Sequence, residues 1–270
     1  MSRNTRYAAQ SDLPVFLTLF CFLILQASPG AGETPSSQNL SVDTIVSKLA
    51  AANQRRAQML QGYRGKRIYH IDYHGFLGSH SAQMQVAVTC TAPDKKDFQV
   101  ISQSGTKVLI NKVLLRLLDS EKEAFQERNR KQMELNPANY KFTLLGTEAT
   151  PGGKSYVLAV QPREASKFLY AGKIWVDATD FAVAKMEGEP AKNPSVWISR
   201  TRIEYVWAKT DGFWLPAHNQ SITQVRLGGT AILTIDYTDY QITKIAQFGP
   251  LHGSDKGILP DPASVTPDQH

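Results

Sequence analysis

The sequence predicts a mainly β protein with helices (α+β): a curled antiparallel meander forming a half-open β-barrel covered by a helical lid. Three observations predict it. Apolar residues recur with a period of two over ten consecutive segments, joined mostly by short turns. Two stretches break that alternation with helical spacing. No shift in composition divides the chain after its first forty residues, so strands and helices share one core. Ten antiparallel strands in sequence order are too many for a flat open sheet, so the sheet curls and offers its concave side to the helices.

Residues 41–63 read as the first helix. Ser41 or Asp43 can cap it. Ile45, Leu49, Ala52, Arg56 and Leu60 follow a three-four beat, Val46 and Met59 widen the stripe, and Gly62 and Gly65 end it. The period then becomes two. Tyr69, Ile71 and Tyr73 alternate with His70, Asp72 and His74, and Met84, Val86, Val88 and Cys90 alternate with Gln83, Gln85, Ala87 and Thr89. After a turn at 92–97, residues 98–102 form a third strand.

Residues 107–131 return to helical spacing through Val108, Leu109, Val113, Leu114, Leu117, Leu118 and Phe125. This is the expected lid. Its second half, 121–131, is nearly all charge of both signs and reads as a solvated face. Asn136-Pro137 closes it. Seven further strands follow at 140–148, 154–162, 168–178, 181–189, 196–208, 213–226 and 230–242, with turns at 151–154, 178–180, 210–212 and 228–229.

The ends of the chain read differently. Arg3 and Arg6, an uncharged apolar run over 13–27, and then Ser28, Gly30, Ala31 and Gly32 make the pattern of a cleavable export signal over 1–32. The apolar run is shorter than the ~20 residues that span a bilayer. Cys21 lies inside that run, preceded by Leu19-Phe20 rather than small residues, and so does not make a lipidation site. Residues 33–39 read as a flexible N-terminus, 40–245 as a single domain, and 246–270, with four prolines and no periodicity, as a disordered tail. Without the signal, Cys90 is the last cysteine left, so no internal disulfide is available and core burial alone stabilises the exported fold.

Little in the sequence points to catalysis. The formal charge of +6 is too modest to demand nucleic acid, and aromatic and basic residues do not interleave as a nucleic-acid platform does. Dinucleotide and phosphate loops, a nucleophile elbow, a zincin helix and a Cys-x-x-Cys motif are all missing from the sequence. Cys90 reads as a structural thiol. His70 and His74 share a strand face with Asp72 but stand ~13 Å apart at about 3.3 Å per residue, too far for one ion. They read as a wet polar face, and neither metal nor cofactor is expected. Arg55-Arg56 and Lys66-Arg67 read as scattered surface charges.

What stands out is the inner face. Trp197, Ile203, Tyr205 and Trp207 share one parity, Phe213 and Leu215 another, and Leu233, Ile235 and Tyr237 a third; Phe168, Tyr170, Ile174 and Val176 add to it. Two readings stay open: a filled core, or an apolar cavity for an acyl chain. The cavity reading draws its lining from Tyr69, Ile71, Tyr73, Met84, Val86, Val88, Trp197, Ile203, Tyr205, Trp207, Leu215, Leu233, Ile235 and Tyr237, under lid residues Val113, Leu114, Leu117 and Leu118.

The order of elements, with the strand–turn–strand Gly172-Lys-Ile-Trp-Val-Asp-Ala-Thr-Asp-Phe-Ala-Val-Ala-Lys-Met-Glu187 and with Thr210-Asp-Gly-Phe-Trp-Leu-Pro216 before 232–240, resembles the bacterial outer-membrane lipoprotein-sorting superfamily of LolA, LolB and RseB/MucB. The likeness covers roughly 40–245. It implies an eleven-stranded LolA-like half-barrel, and a periplasmic binding protein, not an enzyme, that holds a lipid or acylated lipoprotein in lipoprotein sorting or lipid transport to the outer membrane. The alternative it implies is an RseB-like envelope-stress sensor with an envelope protein as partner. In either case the protein is a monomer, peripheral to the membrane at most. The family's carriers hold their lid closed with one arginine, and neither Arg64 nor Arg67 lies in a motif that marks it here.

Overall fold

A computed structural model describes residues 40–76, 78–93, 95–150, 152–166, 168–193, 198–226 and 228–244. The expected export signal, the N-terminal stretch before residue 40, the tail over 246–270 and Trp197 lie outside the described residues.

The chain begins with helix α1 (Val42–Met59). Ser41 caps it: its hydroxyl accepts from the Thr44 amide at 3.2 Å, and Asp43 sits in the first turn, where the helix dipole favours a carboxylate. The helix stops four residues before the expected end. Leu60 already has extended backbone, and Gly62 and Gly65 are strand residues rather than helix stops. Strand packing explains Gly62, because a Cβ there would lie 2.4 Å from the Cys90 carbonyl oxygen on the neighbouring strand.

Three strands follow: β1 (Leu60–Gly75), β2 (Gly78–Thr91) and β3 (Lys95–Gly105). A helical passage comes next, made of α2 (Lys107–Leu109), a π-helical turn (Ile110–Leu114), α3 (Leu115–Phe125) and α4 (Glu127–Met133). The expected single helix is thus interrupted twice, by the π turn and by Gln126, whose ψ of 140° is extended. Beyond α4, Asn136 accepts the amides of Ala138 and Asn139 in a side-chain-closed turn.

Seven more strands complete the chain: β4 (Tyr140–Thr150), β5 (Gly153–Pro162), β6 (Tyr170–Asp177), β7 (Val183–Pro190), β8 (Ile198–Thr210), β9 (Phe213–Val225) and β10 (Gly229–Lys244). The described residues therefore hold ten strands, as the alternation predicts, and not the eleven that the family resemblance implies. The strand order is β3-β2-β1-β10-β9-β8-β7-β6-β5-β4, antiparallel throughout. The chain's first and last strands pair side by side, Tyr69 opposite Ile235 and Ile71 opposite Leu233. Register shifts at Arg64/Lys66, Gln85/Val86, Leu144/Gly146, Trp175/Val176 and Val206/Trp207 bend their strands and increase the twist, which curls the sheet.

The sheet does not close, and β3 and β4 are its two edges. The only route from β3 to β4 is the helical passage, so connectivity obliges it to cross from one edge of the sheet to the other. That makes it the lid. Ile110, Leu114, Leu117 and Leu118 from the lid, Ile45, Val46 and Leu49 from α1, and the inward residues of the strands pack as one core. Each fully buried Leu, Ile or Val contributes about 1.5–3 kcal/mol relative to exposure. Helix α1 is also pinned at its flanks: Arg56 donates to the Trp214 carbonyl at 3.1 Å, and the Lys48 ammonium sits 4.6 Å from the centre of the Phe181 ring.

The Val-Asp turn singled out in the sequence has a local cause. Asp177 is buried, and its Oδ1 accepts the amides of Thr179 at 2.9 Å and Asp180 at 2.7 Å. The turn then passes through Phe181 at a φ of 50°. Removing the Asp177 carboxylate leaves two amides to find other acceptors. Asp177→Ala is expected to cost about 1–3 kcal/mol, read from the midpoint of urea denaturation.

Candidate functional site

Three charged side chains meet where the lid lies on the sheet. Arg67 belongs to the inward parity of β1, with Tyr63, Tyr69 and Ile71. Lys96 precedes Phe98 by two on the inward parity of β3. Glu121 lies on α3 in the same stripe as Leu114, Leu117, Leu118 and Phe125. All three are buried, at 2%, 6% and 0% exposure. Ordinary charged residues keep their heads in water, so this grouping needs partners, and it has them. Arg67 Nη1 donates to Glu121 Oε2 at 2.6 Å, and Lys96 Nζ donates to Glu121 Oε1. One carboxylate is thus held by two cations, one from β1 and one from β3.

The surroundings are aromatic. The Arg67 guanidinium lies 4.9 Å from the Tyr237 ring centre and 5.4 Å from that of Phe98, and it also donates to the Tyr69 hydroxyl at 3.2 Å. The Lys96 ammonium sits 5.3 Å from the Phe125 ring. The Tyr237 hydroxyl bonds that of Tyr205 at 2.7 Å, and Tyr205 stacks on Trp207. Polar groups of the lid, β1, β3, β8 and β10 therefore meet within an otherwise apolar seam.

The electrostatics follow from burial and charge. Burial alone would raise the Glu121 carboxyl, but Arg67 and Lys96 outweigh it and hold it below its ordinary value of 4.5. Burial acts to lower both cations. Glu121 overcomes this for Arg67, while the Lys96 ammonium stays below its ordinary value. Burial pushes the Tyr69 hydroxyl up to about 12, so at neutral pH it is a phenol, not a phenolate. For Glu121 the folded value is depressed, so the unfolded chain binds more protons as pH falls. Its stabilising contribution is complete above its ordinary value of 4.5 and is lost as the pH falls below it. Acid titration followed by tryptophan fluorescence is expected to show the wild type losing stability from that pH downward, with a shallower slope for Glu121→Gln.

Two expectations are corrected here. The charged stretch 121–131 is not solvated at its start, since Glu121 faces the core. Arg67 is not a scattered surface charge but the centre of the cluster, while its neighbour Lys66 is exposed and pairs with Asp239 at 2.8 Å.

The residues assigned to an apolar lining fall into three groups. Tyr69, Ile71, Met84, Val86, Val88, Ile203, Tyr205, Leu215, Ile235 and Tyr237 are buried in the shared core, with Leu114, Leu117 and Leu118 of the lid against it. Trp207, Leu233 and Val113 are half-buried at its margin. Tyr73 is half-buried near the β1–β2 turn, where its hydroxyl donates to the Gly228 carbonyl at 3.0 Å. Cys90 is a free, half-buried thiol, raised by burial. His70 pairs with Asp72 at 2.8 Å and His74 with Ser79 at 2.9 Å on the outer face, away from the lid. His74→Ala is therefore expected to shift stability by less than about 0.5 kcal/mol in thermal denaturation.

Sequence reading missed Arg67, Lys96 and Glu121, although a signal was present. Arg67 and Glu121 each interrupt an apolar series at a position that the strand or helix period assigns to the inside, while Lys96 falls in the stretch 92–97 that reads as a turn.

Fold and cluster together define a class: a curled-sheet protein whose edge-to-edge helical lid is fastened by buried charge. No family model matches the sequence, and no curated protein does. Among solved structures, the chain is similar to a DUF1329 family protein from Desulfovibrio piger, with 13% identity over 79% of this chain and 95% of that one, at a TM-score of 0.38. It is similar to an outer membrane lipoprotein-sorting protein domain from Vibrio parahaemolyticus, with 11% identity over 74% and 91%, at 0.35. It is also similar to a LolA superfamily protein from Nitrosomonas europaea, with 13% identity over 77% and 96%, at 0.33.

Proposed function

We propose that the protein is an exported, non-catalytic binding protein of the periplasm that holds a lipid or an acylated protein between the curled sheet and its lid. The observation that carries this reading is the buried Glu121 carboxylate between Arg67 and Lys96. A seam meant only for stability is served at least as well by well-packed apolar residues. An ionic seam behaves differently when it separates. Its charges regain hydration, so the lifted lid lies closer in free energy to the closed one than an all-apolar seam would leave it. The lid then moves as one passage between two edge strands, and the apolar residues beneath it receive an acyl chain.

The test is direct. Protein purified without detergent is extracted into organic solvent and the extract analysed by mass spectrometry, and delipidated protein is offered fluorescent fatty acids. Co-purified acyl lipid together with saturable uptake supports the reading. A clean extract with no uptake sinks it, and capture of a protein partner by such lipid-free protein would favour the regulatory alternative.

A further inference from the structure

A second polar feature lies on the concave face, outside the charged cluster, and it narrows the ligand's chemistry in an inference that rests on the reading above. On β9, Asn219, Ser221 and Thr223 share the inward parity. Register places them in the middle of the sheet. Asn219 lies between Tyr205 on β8 and Ile235 on β10, Ser221 between Ile203 and Leu233, and Thr223 between Thr201 and Ala231. A polar column thus runs between two largely apolar ones. The Thr223 and Thr201 hydroxyls satisfy each other at 3.1 Å. Asn219 is only 3% exposed, and its Nδ2 donates to the Glu204 backbone carbonyl at 3.4 Å, which turns Oδ1 the other way. Every side-chain oxygen or nitrogen sealed from solvent among the described residues has a hydrogen-bond partner. Asn219 Oδ1 accepts no bond among them, so it is not sealed and faces a space that solvent enters. The Ser221 hydroxyl, about 7 Å along the strand toward the β9–β10 turn, is half-buried and makes no side-chain hydrogen bond among the described residues.

These groups select by the sense of the hydrogen bond. With Nδ2 committed to Glu204, Asn219 offers an acceptor, so what binds it must donate, while the Ser221 hydroxyl donates or accepts. Neither group is charged. A hydrocarbon or a simple ester brings no donor and leaves Oδ1 unpaired where water is displaced, which is costly for a buried acceptor. A carboxylate sets acceptor against acceptor. We propose that Asn219 and Ser221 form a subsite for a neutral head that both donates and accepts, an amide or a hydroxylated head such as glycerol, on an acyl chain that lies along the apolar columns of β8 and β10. The head's N–H or O–H donates to Asn219 Oδ1, and its oxygen accepts from Ser221 Oγ.

The experiment compares probes with one acyl chain on delipidated wild-type protein: oleamide and monooleoylglycerol, which donate and accept, against methyl oleate, which only accepts. At least one of the first two is expected to bind about 10-fold more tightly than the ester, the worth of about one net hydrogen bond, and which of them separates names the head. Ser221→Ala is expected to reduce that ratio to below about 3-fold. Gln224→Ala, exposed on the outer parity of the same strand, is expected to keep it. Circular dichroism checks that both variants fold, and the wild-type comparison stands without them. Equal binding of the three probes overturns the subsite while leaving the lipid-binding reading intact. A ratio that Ser221→Ala leaves at the wild-type level also overturns the subsite. Binding of none of the probes overturns both.

Discussion

Replacing Glu121 with alanine is expected to cost about 3–5 kcal/mol, the range for removing one partner of a buried ion pair. The loss comes less from the missing attraction than from what remains. Arg67 and Lys96 stay at 2% and 6% exposure with their common carboxylate gone, beside the rings of Phe98, Phe125 and Tyr237. Their desolvation is then less well compensated than in the wild type. The triple replacement Arg67→Met, Lys96→Met and Glu121→Leu reverses the sign, because it removes these three charges together and restores apolar packing. It is expected to match or exceed the wild type in urea denaturation, and to exchange fluorescent fatty acid more slowly because the seam no longer gains hydration on opening. A Glu121→Ala cost below about 1 kcal/mol, in the range of an exposed pair, would show that the cluster is not dry in solution and would remove the fastening from the lid.

The fold was legible because both of its periods are strong. The ten strands are marked by alternation over segments such as Tyr69–Tyr73 and Met84–Val88, and by turn residues between them. Their number predicts the curl, and the register shifts within the strands supply it. The boundaries that failed did so for local reasons. The first helix ends at Met59 because Leu60 is already drawn into the pairing of β1 with β10 opposite Lys244, a contact 184 positions distant that no window on the helix contains. The lid breaks at Gln126 within a stretch whose charge pattern is otherwise helical. The candidate site was harder to read because averaging over 121–131 hides one position. Glu121 is three residues after Leu118 and four before Phe125, which puts it on the apolar stripe, while Lys122 and Glu123 beside it are exposed. The same holds for Arg67 between Tyr63 and Tyr69. A charge in phase with an apolar series is the informative event, and composition over a window erases it.

The second large effect is expected at Tyr205, where the core and the proposed lining are the same residues. Tyr205 is 4% exposed, stacks on Trp207 with ring centres 4.4 Å apart, and shares a hydrogen bond with the Tyr237 hydroxyl. Tyr205→Asp removes a buried aromatic ring, which alone costs about 3–5 kcal/mol, and puts a carboxylate into the space. Burial raises the pKa of that carboxylate, so part of the cost is taken as protonation rather than as buried charge. The sum is comparable to the about 5–15 kcal/mol that stabilises a typical domain, so loss of the folded state is the expected result by circular dichroism. Tyr205→Phe isolates the hydroxyl. It keeps the ring and leaves the Tyr237 hydroxyl without its 2.7 Å partner, for an expected cost of about 1–3 kcal/mol. Tyr237 is also the ring beneath the Arg67 guanidinium. A rotated Tyr237 would loosen the stacking that orients the cation, so Tyr205→Phe is expected to weaken uptake of fluorescent fatty acid as well as stability. If the folded variant takes up fatty acid as the wild type does, Tyr205 acts only as core. If Tyr205→Asp folds and still takes up lipid, the inner face of β8 does not line the binding site at all.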